Sequence, residues 1–178
     1  MPDDDAITFA PVTVADLPRL REWLQRPHVA EWWGLPESLE ELHEDFVARA
    51  HEPRATQAFI ASLGARPIGF IQCYWVMGSG DGWWEDETDA TARGIDQFLA
   101  DPAELNQGLG RAMIRCFVDR LLAVSDASFV QTDPSPTNAR AIRCYQAAGF
   151  VPVGEVTTPD GPALLLKRYR SADAFGAG

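Results

Sequence analysis

LNQGLGR, residues 105–111, lies between an extended run at residues 94–100 and a run with helical periodicity at residues 109–122. Gly108 and Gly110 have no Cβ atoms, so a ligand can approach the backbone closely. A helix that begins here points unpaired N–H groups and a partial positive charge into the loop, and both favour a phosphate. This order of strand, glycine turn and helix N-terminus predicts a pyrophosphate-binding loop.

The two glycines alone are a weak signal, because G-x-G is common in ordinary turns. The stretch is not the dinucleotide fingerprint G-x-G-x-x-G, since Met113 occupies the last glycine position. It is not a Walker P-loop either, since no Gly-Lys-Ser/Thr follows. The phosphate interpretation therefore depends on the residues downstream.

Those downstream residues are QTDPSPTN (131–138), ARAIRCY (139–145) and AGF (148–150). A glycine-rich loop followed by N-x-x-A-x-x-x-Y and Gly-Phe resembles the GNAT acetyltransferase superfamily, whose cofactor is acetyl-coenzyme A. Several long stretches are more specifically similar to aminoglycoside N-acetyltransferases that act on the 6′-amine: HVAEWWG (28–34), GSGDGWWE (78–85), RGIDQ (93–97), residues 131–145 and TTPDGP (157–162). The resemblance covers about residues 7–169.

The resemblance implies an α+β fold with a mixed, mostly antiparallel sheet of six or seven strands and about four helices. The sheet should open where the strand of Asp96 separates from the strand that ends at Asp133, and thereby admit the cofactor. The resemblance also implies a set of cofactor-binding residues: Gln97, Phe98, Leu99, Gln107, Gly108, Leu109, Gly110, Arg111, Asn138, Ala141 and Tyr145. Leu105 stands where the superfamily usually has Gln or Arg, so helix N–H groups should contribute more of the phosphate binding.

Length and composition predict one packed domain, residues 1–178, with flexible tails at residues 1–6 and 171–178. The hydrophobic content of 46% and the six tryptophans argue against disorder. The sequence contains no apolar run of about 18 residues, so no membrane span is predicted. The acidic start of the chain lacks the features of a secretion signal. Three widely spaced cysteines indicate free thiols in a reducing compartment, so we expect a cytoplasmic protein.

The net charge of −11 argues against nucleic acid as a partner, since a polyanion would be repelled. Acidic residues are concentrated between Asp81 and Glu104, where Arg93 is the one basic residue. The carboxylates in this segment are Asp81, Glu85, Asp86, Glu87, Asp89, Asp96, Asp101 and Glu104. They would attract a cationic small molecule. We expect a monomer or weak homodimer without a metal, because the three histidines have no ligand spacing.

The remaining pattern alternates strand and helix signals. Strands are predicted at residues 7–12, 57–63, 67–77, 94–99, 128–132, 150–156 and 163–169. Helices are predicted at residues 17–25, 38–50, 109–122 and 137–148. Residues 27–34 are predicted to interrupt the first helix, and Ser38 with Glu41 forms a capping-box pattern.

Aromatic and acidic residues in two of these segments suggest an amino-sugar site. Adjacent tryptophans point to different sides of a regular element, so one of the pair at residues 32–33 should lie on a cleft wall; we assign Trp33. In the GSGDGWWE loop, tryptophan faces can stack on a sugar while acids pair with its ammonium groups. The acceptor-binding candidates are Trp33, Asp81, Trp83, Glu85, Asp133 and Asp160. The alternatives are a surface loop with one buried tryptophan, and a turn role for Asp160.

Asp96 is the candidate for the base or for the group that holds the acceptor amine. It lies in an otherwise apolar run, where an unpaired carboxylate is costly. An amine with a pKa near 10.4 is mostly protonated at neutral pH, so a carboxylate can serve first as counter-ion and then as proton acceptor. The alternative is a salt bridge to Arg93 or to another base. The resemblance implies the same catalytic role for Asp96.

Asp133 and Tyr145 complete the catalytic candidates. Asp133 follows a predicted strand and could meet the same substrate, or it could cap the turn before Pro134. Tyr145 lies seven residues after Asn138 on one helix face, and a phenol with a pKa of about 10 can protonate a thiolate. A buried core tyrosine is the alternative.

These patterns predict acetyl transfer from acetyl-coenzyme A to the 6′-amine of an aminoglycoside, by direct attack on the thioester, which would confer resistance. One alternative is a GNAT enzyme for another amine, such as a polyamine, a peptide N-terminus or a siderophore precursor. Another is a non-catalytic protein that sequesters the drug, although sequestration needs no coenzyme.

Overall fold

A computed structural model describes residues 6–35 and 38–171 of the chain. The strands are β1 (Ile7–Pro11), β2 (Gln57–Leu63), β3 (Arg66–Trp75), β4 (Arg93–Leu99), β5 (Phe129–Thr132), β6 (Val151–Thr158) and β7 (Gly161–Tyr169). The α-helices are α1 (Leu17–Leu24), α2 (Pro27–Trp33), α3 (Leu39–His43), α4 (Leu109–Val124) and α5 (Ala139–Ala147). The segments predicted as flexible tails lie outside the described residues, except for Ala6 and Ser171.

The seven strands form one sheet in the order β1-β2-β3-β4-β5-β7-β6. The β1–β2, β2–β3, β5–β7 and β6–β7 pairs are antiparallel. The β4–β5 pair is parallel, with Arg93 opposite Val130 and Gly94 opposite Gln131. This mixed, mostly antiparallel α+β architecture confirms the predicted fold class.

Two findings extend the helix predictions. Residues 27–34 interrupt the first helix, as predicted, and Pro27–Trp33 also form a helix of their own, α2, with Pro27 in its first turn where a missing N–H costs nothing. The described residues therefore contain five α-helices, where the pattern predicts about four. The helix predicted from Ser38 does begin with its capping box, but after His43 it continues as the π-helical segment Glu44–Ala48.

The chain divides into two compact units. Unit 1 comprises the residues as far as Tyr74 together with Asp96–Met113, and unit 2 comprises Trp75–Ile95 together with the residues from Ile114 onward. Each unit contains its own share of the predicted site residues. The prediction of one domain stays a prediction.

The core of unit 1 forms where the early helices cover the sheet. Its buried residues are Val12, Leu17, Leu20, Trp23, Leu24, Val29, Leu42, Ala58, Ile60, Phe70, Phe98 and Ala100. Phe70 and Phe98 stack with ring centroids 5.4 Å apart, and Trp33 packs edge-on against both rings. The polar residues of this region therefore project from a rigid aromatic base.

Unit 2 buries the apolar stripe of α4 and the inner face of its strands. The buried side chains include Ile114, Phe117, Val118, Phe129, Val130, Tyr145, Phe150, Leu165 and Leu166. By contrast, β6 is mostly exposed at the sheet edge. No helix in the described ranges is long and apolar enough to span a membrane.

Candidate active site

Asp96 in unit 1 is a half-buried carboxylate held by one amide. Its Oδ2 accepts a hydrogen bond from Nε2 of Gln72 on β3, at 2.9 Å. Burial raises the pKa of Asp96, and the Gln72 hydrogen bond lowers that pKa in partial compensation. A carboxyl group with a raised pKa binds a proton closer to neutral pH than an exposed one, which suits a base.

Arg93 forms an ion pair with Asp126 at 3.2 Å. It is the basic residue that was the alternative partner for Asp96. No cation is among the causes of the pKa shift of Asp96. The salt-bridge alternative therefore gains no support from the described residues.

Gln72 is a site residue that the sequence interpretation missed. It lies in the strongly apolar stretch Gly69-Phe70-Ile71-Gln72-Cys73 of β3, and its own side chain is half-buried. A lone amide in such a run was the available signal, because a buried polar group needs a partner. That partner is 24 positions away in the chain.

An acidic cleft of about 810 Å³ opens in unit 1 beside this pair. Trp33 and Phe46 supply aromatic wall, and Gln72 also lines the cleft. Trp33 therefore lies on a cleft wall, and its role in acceptor binding stays a prediction. The acidic lining residues are Glu40, Glu41, Glu44 and Asp45. Burial, and then the charge of Glu41, raise the pKa of Asp45. Such a cleft favours a cation.

The glycine turn at the start of α4 leaves space above its backbone. Gly108 has φ +86°, and a Cβ placed on it would meet nothing within 4 Å, so space is open above its backbone. Gly110 lies inside the first turn of α4, where Ala112 N–H donates to the Gly108 carbonyl. The Gln107 side chain donates to the Ala103 carbonyl. Gln107, Leu109 and Arg111 are therefore placed around a helix N-terminus with room for a phosphate.

The end of β4 has buried side chains and closely packed backbone. The side chains of Phe98 and Leu99 are buried, and the Leu99 carbonyl lies 2.9 Å from Nε2 of His28. A Cβ on Gly69 would lie 2.3 Å from the Phe98 carbonyl oxygen, so only glycine allows β3 this close to β4. Cofactor contacts by Gln97, Phe98 and Leu99 stay a prediction.

In unit 2 the GSGDGWWE loop forms a tight turn at its tip. Trp83 N–H donates to the Gly80 carbonyl at 2.9 Å, and the two residues between them, Asp81 and Gly82, both have positive φ. Asp81 and Glu85 are exposed. The rings of Trp83 and Trp84 are half-buried, with centroids 5.9 Å apart. The turn therefore presents a carboxylate next to a pair of indole rings.

Asp160 lies next to this loop, at the tip of the β6–β7 hairpin. A Cβ on Gly82 would be in van der Waals contact, at 3.5 Å, with Cγ of Pro159. Asp160 N–H donates to the Thr158 hydroxyl, so Asp160 is a turn residue, but its side chain is exposed. The fold thus brings together two predicted ammonium-binding segments that are far apart in sequence.

Asp133, Asn138, Ala141 and Tyr145 also lie in unit 2. Asp133 follows β5 and is half-buried. Asn138 is the N-cap of α5, where its side chain accepts a hydrogen bond from Ala141 N–H at 3.2 Å. Tyr145 is 4% exposed and packs against Phe150. Burial fits a core tyrosine as well as a general acid, so the catalytic role of Tyr145 stays a prediction.

The predicted residues therefore fall into two groups. Unit 1 holds Asp96, Trp33, the end of β4 and the glycine turn, while unit 2 holds the Trp-Trp loop, Asp160, Asp133 and the residues of α5. Action of both groups on one acceptor stays a prediction. Among residues 6–35 and 38–171, no three His, Cys, Asp or Glu side chains are grouped to hold a metal ion.

Comparisons with known proteins agree with this geometry. Residues 13–158 match the model of the acetyltransferase (GNAT) domain. The chain is 45% identical over 172 residues to the aminoglycoside N(6′)-acetyltransferase type 1 of Klebsiella pneumoniae, a match that covers 95% of this chain and 86% of that protein.

Two solved structures of AAC(6′)-Ib are similar over nearly the whole chain. A complex with paromomycin and acetyl-CoA has a TM-score of 0.89 at 44% identity, and covers 98% of this chain and 99% of that one. A complex with coenzyme A and kanamycin has a TM-score of 0.88 at 45% identity, and covers 96% and 98%. Since the domain match spans most of the sequence and the fold agrees, the chain belongs to the GNAT acetyltransferase family.

Proposed function

We propose that this enzyme transfers an acetyl group from acetyl-CoA to the 6′-amine of aminoglycoside antibiotics, and so confers resistance to them. The observation that carries the proposal is the 45% identity, across 95% of the chain, to an aminoglycoside N(6′)-acetyltransferase. The acidic aromatic cleft of unit 1 and the acidic loop of unit 2 support a polycationic acceptor. Acetylation would remove one positive charge from the drug and weaken its attraction to RNA phosphates.

The glycine turn fits the pyrophosphate of coenzyme A. Space is open above Gly108, and Leu109 begins α4, whose first turn carries N–H groups without carbonyl partners inside the helix. When bound, acetyl-CoA supplies an acetyl group activated as a thioester. Gln97–Leu99, Asn138 and Ala141 are the further residues that we assign to cofactor binding.

Asp96 performs the proton chemistry in this proposal. The acceptor arrives as an ammonium ion and must lose a proton before its nitrogen can attack. The carboxylate first pairs with the ammonium and then takes its proton, directly or through a water. Its raised pKa favours this transfer, while Gln72 holds the carboxylate in one orientation.

The remaining acids and aromatic rings bind the acceptor. Trp33 forms a wall of the acidic cleft, and Asp81, Trp83, Glu85 and Asp160 form a second acidic aromatic surface in unit 2. Asp133 supplies a further carboxylate, and the Tyr145 hydroxyl is the candidate proton donor for the leaving group. We place the reaction in the cytoplasm, because Cys73, Cys116 and Cys144 are not joined in disulfides.

Release of coenzyme A across a panel of amines tests the proposal. Aminoglycosides with a 6′-amine should be acetylated, while drugs with a 6′-hydroxyl in its place should release little coenzyme. Equal rates with the 6′-hydroxyl drugs would contradict attack by the 6′-amine. Turnover with only polyamines or peptides would assign the enzyme to another amine, and tight drug binding without release would indicate a sequestering protein.

A further inference from the structure

Residues 87–93, here called the return arm, lead from the Trp-Trp loop back into β4 and are held at several points within unit 2. Glu87 lies 3.8 Å from Nζ of Lys167 on β7. The Asp89 carboxylate accepts hydrogen bonds from the Ser128 hydroxyl and from both N–H and hydroxyl of Thr91. These contacts tie the arm to the turn that precedes β5 and to β7.

Arg93 forms the innermost of these attachments. The residue is 6% exposed, and its guanidinium carbon lies 3.0 Å from the centroid of the Trp75 ring. It donates hydrogen bonds to the Thr91 carbonyl and to Asp126, the latter at 3.2 Å. A planar guanidinium can stack on a ring and donate at its edge at the same time, which an ammonium cannot do.

Trp75 and Arg93 are the residues at the two ends of the excursion between β3 and β4. Just inside them, Val76 N–H donates to the Ala92 carbonyl at 3.2 Å. The stacked pair therefore closes the base of a segment that begins at Val76 and ends at Ala92. Burying a charged side chain carries a desolvation penalty. If the loop only connected two strands, a pair of apolar residues could close its base without that penalty.

The tip of the same excursion has the opposite character. Asp81 and Trp84 are non-glycine residues with φ of +53° and +51°, and the tip lies among glycines that also have positive φ. A strained and exposed tip keeps its direction only if its base is fixed. Small displacements of binding groups are costly for catalysis, so a rigid base has a functional use.

We propose that Arg93 is a positioning residue for acceptor binding: stacked on Trp75 and tied to Asp126, it fixes the base of the loop and thereby the direction in which Asp81 and Trp83 meet the acceptor. This inference rests on the proposed function, because it takes the loop tip as part of the acceptor site. Arg93 itself does not act on the reacting atoms.

The first test compares the Michaelis constants of the two substrates. Arg93→Lys keeps the charge but loses the stacked fork, and we expect the KM for an aminoglycoside to rise about tenfold, while the KM for acetyl-CoA changes less than about twofold. Arg120→Lys, at an exposed arginine of α4, is the matched control and should change neither constant. An unchanged aminoglycoside KM, or equal rises in both constants, would overturn the proposal.

A double-mutant cycle separates positioning from general loss of structure. If Arg93 acts through the loop tip, Arg93→Lys and Asp81→Asn should be clearly non-additive in kcat/KM for the aminoglycoside. Simple additivity would count against the proposal. Should Arg93→Lys fail to fold, Asp126→Asn removes only the negative charge of its partner, which is 71% exposed, and should raise the aminoglycoside KM by a smaller factor.

Hydrogen exchange without any substrate makes the inference testable apart from the proposed function. Amides of residues 78–86 should exchange faster in Arg93→Lys than in the parent enzyme, while those of α4 should not change. Unchanged exchange at residues 78–86 in a folded variant would sink the positioning role. Absence of drug-dependent coenzyme release by the parent enzyme would instead sink the proposed function.

Discussion

Asp96 in the middle of β4 and Asp89 in the return arm are two aspartates whose surroundings act in opposite directions. Burial raises the pKa of Asp96, against a single hydrogen bond from Gln72. Hydrogen bonds from the Ser128 and Thr91 hydroxyls and from backbone N–H groups lower the pKa of Asp89. The same side chain is thus adapted in one place to accept a proton and in the other to stay ionised.

The two carboxylates differ in how many hydrogen-bond donors surround them. A carboxylate surrounded by hydroxyl and N–H donors is stabilised as an ion and has little capacity left for a substrate. A half-buried carboxylate with one amide donor keeps lone pairs available for an ammonium group. We therefore infer a catalytic role for Asp96 and a structural role for Asp89.

The largest expected effect is that of Asp96→Asn. The amide keeps the shape of the side chain but cannot accept the proton, so kcat should fall by roughly 10²–10⁴. Asp119→Asn is the matched control, because Asp119 is an exposed aspartate of α4 that pairs with Arg168 and should affect turnover little. Near-normal turnover by folded Asp96→Asn would end the assignment of Asp96 as the base.

Gln72→Met should move the pH profile. Loss of the amide donor disfavours ionised Asp96, so the pKa of Asp96 rises further and the acid limb of the kcat/KM profile shifts to higher pH. Loss of a hydrogen bond to a charged group predicts a shift of about one pH unit, and about a tenfold loss of activity on that limb.

Activity of Gln72→Met on the alkaline side should be nearly normal, because Asp96 is ionised there in both proteins. The control is Gln146→Met, at an exposed position of α5, which should leave the profile unchanged. A uniform drop at every pH would show that Gln72 supports the fold rather than the carboxylate.

Exposed carboxylates should behave differently from both aspartates, because solvent screens them. If Glu40, Glu41 and Glu44 of the cleft attract the cationic drug, kcat/KM for the drug should fall several-fold as ionic strength rises from about 0.01 M to about 0.15 M. The value of kcat at saturation should change little. A salt-independent kcat/KM would contradict electrostatic capture.

The smallest expected effect is on stability, at Asp89. Because its pKa is depressed in the fold, Asp89 contributes stability that is present above the unfolded pKa of about 3.9 and is lost as pH falls through the folded pKa. Ser128→Ala removes the principal donor and should lower the free energy of unfolding at neutral pH by about 1 kcal/mol.

Urea unfolding at neutral and acid pH measures this loss. The difference in free energy of unfolding between Ser128→Ala and the parent should become smaller below a pH of about 3.9. Ser125→Ala is the matched control, because the Ser125 hydroxyl bonds to the Leu121 carbonyl rather than to a carboxylate. Its cost should not depend on pH. A pH-independent cost for Ser128→Ala as well would refute the structural role of Asp89.

Local structure could be predicted well where neighbouring residues determine it. The β2–β3 hairpin follows from two β-rich runs around Gly64, and the capping box of Ser38 and Glu41 forms as the pattern indicates. The predicted interruption at residues 27–34 is present, since α1 ends at Leu24, but the short helix that begins at Pro27 is not predicted by the pattern, although the first turn of a helix tolerates proline.

Prediction of the site was limited by contacts between distant parts of the chain. Asp96 was identifiable as a carboxylate in an apolar strand, but Gln72 was not, because only the pairing of strands brings the two together. The nearness of Gly82 to Pro159, and the acids that line the cleft with Trp33, could not be predicted for the same reason.

The sequence by itself determined the local elements, the glycine turn before α4, the acidic character and the set of candidate carboxylates, because each depends on residue type and short spacing. Only the tertiary structure decided what each carboxylate can do. Asp96 and Asp89 are chemically identical in the unfolded chain. Burial and the donors that the fold brings from remote positions then raise one pKa and lower the other.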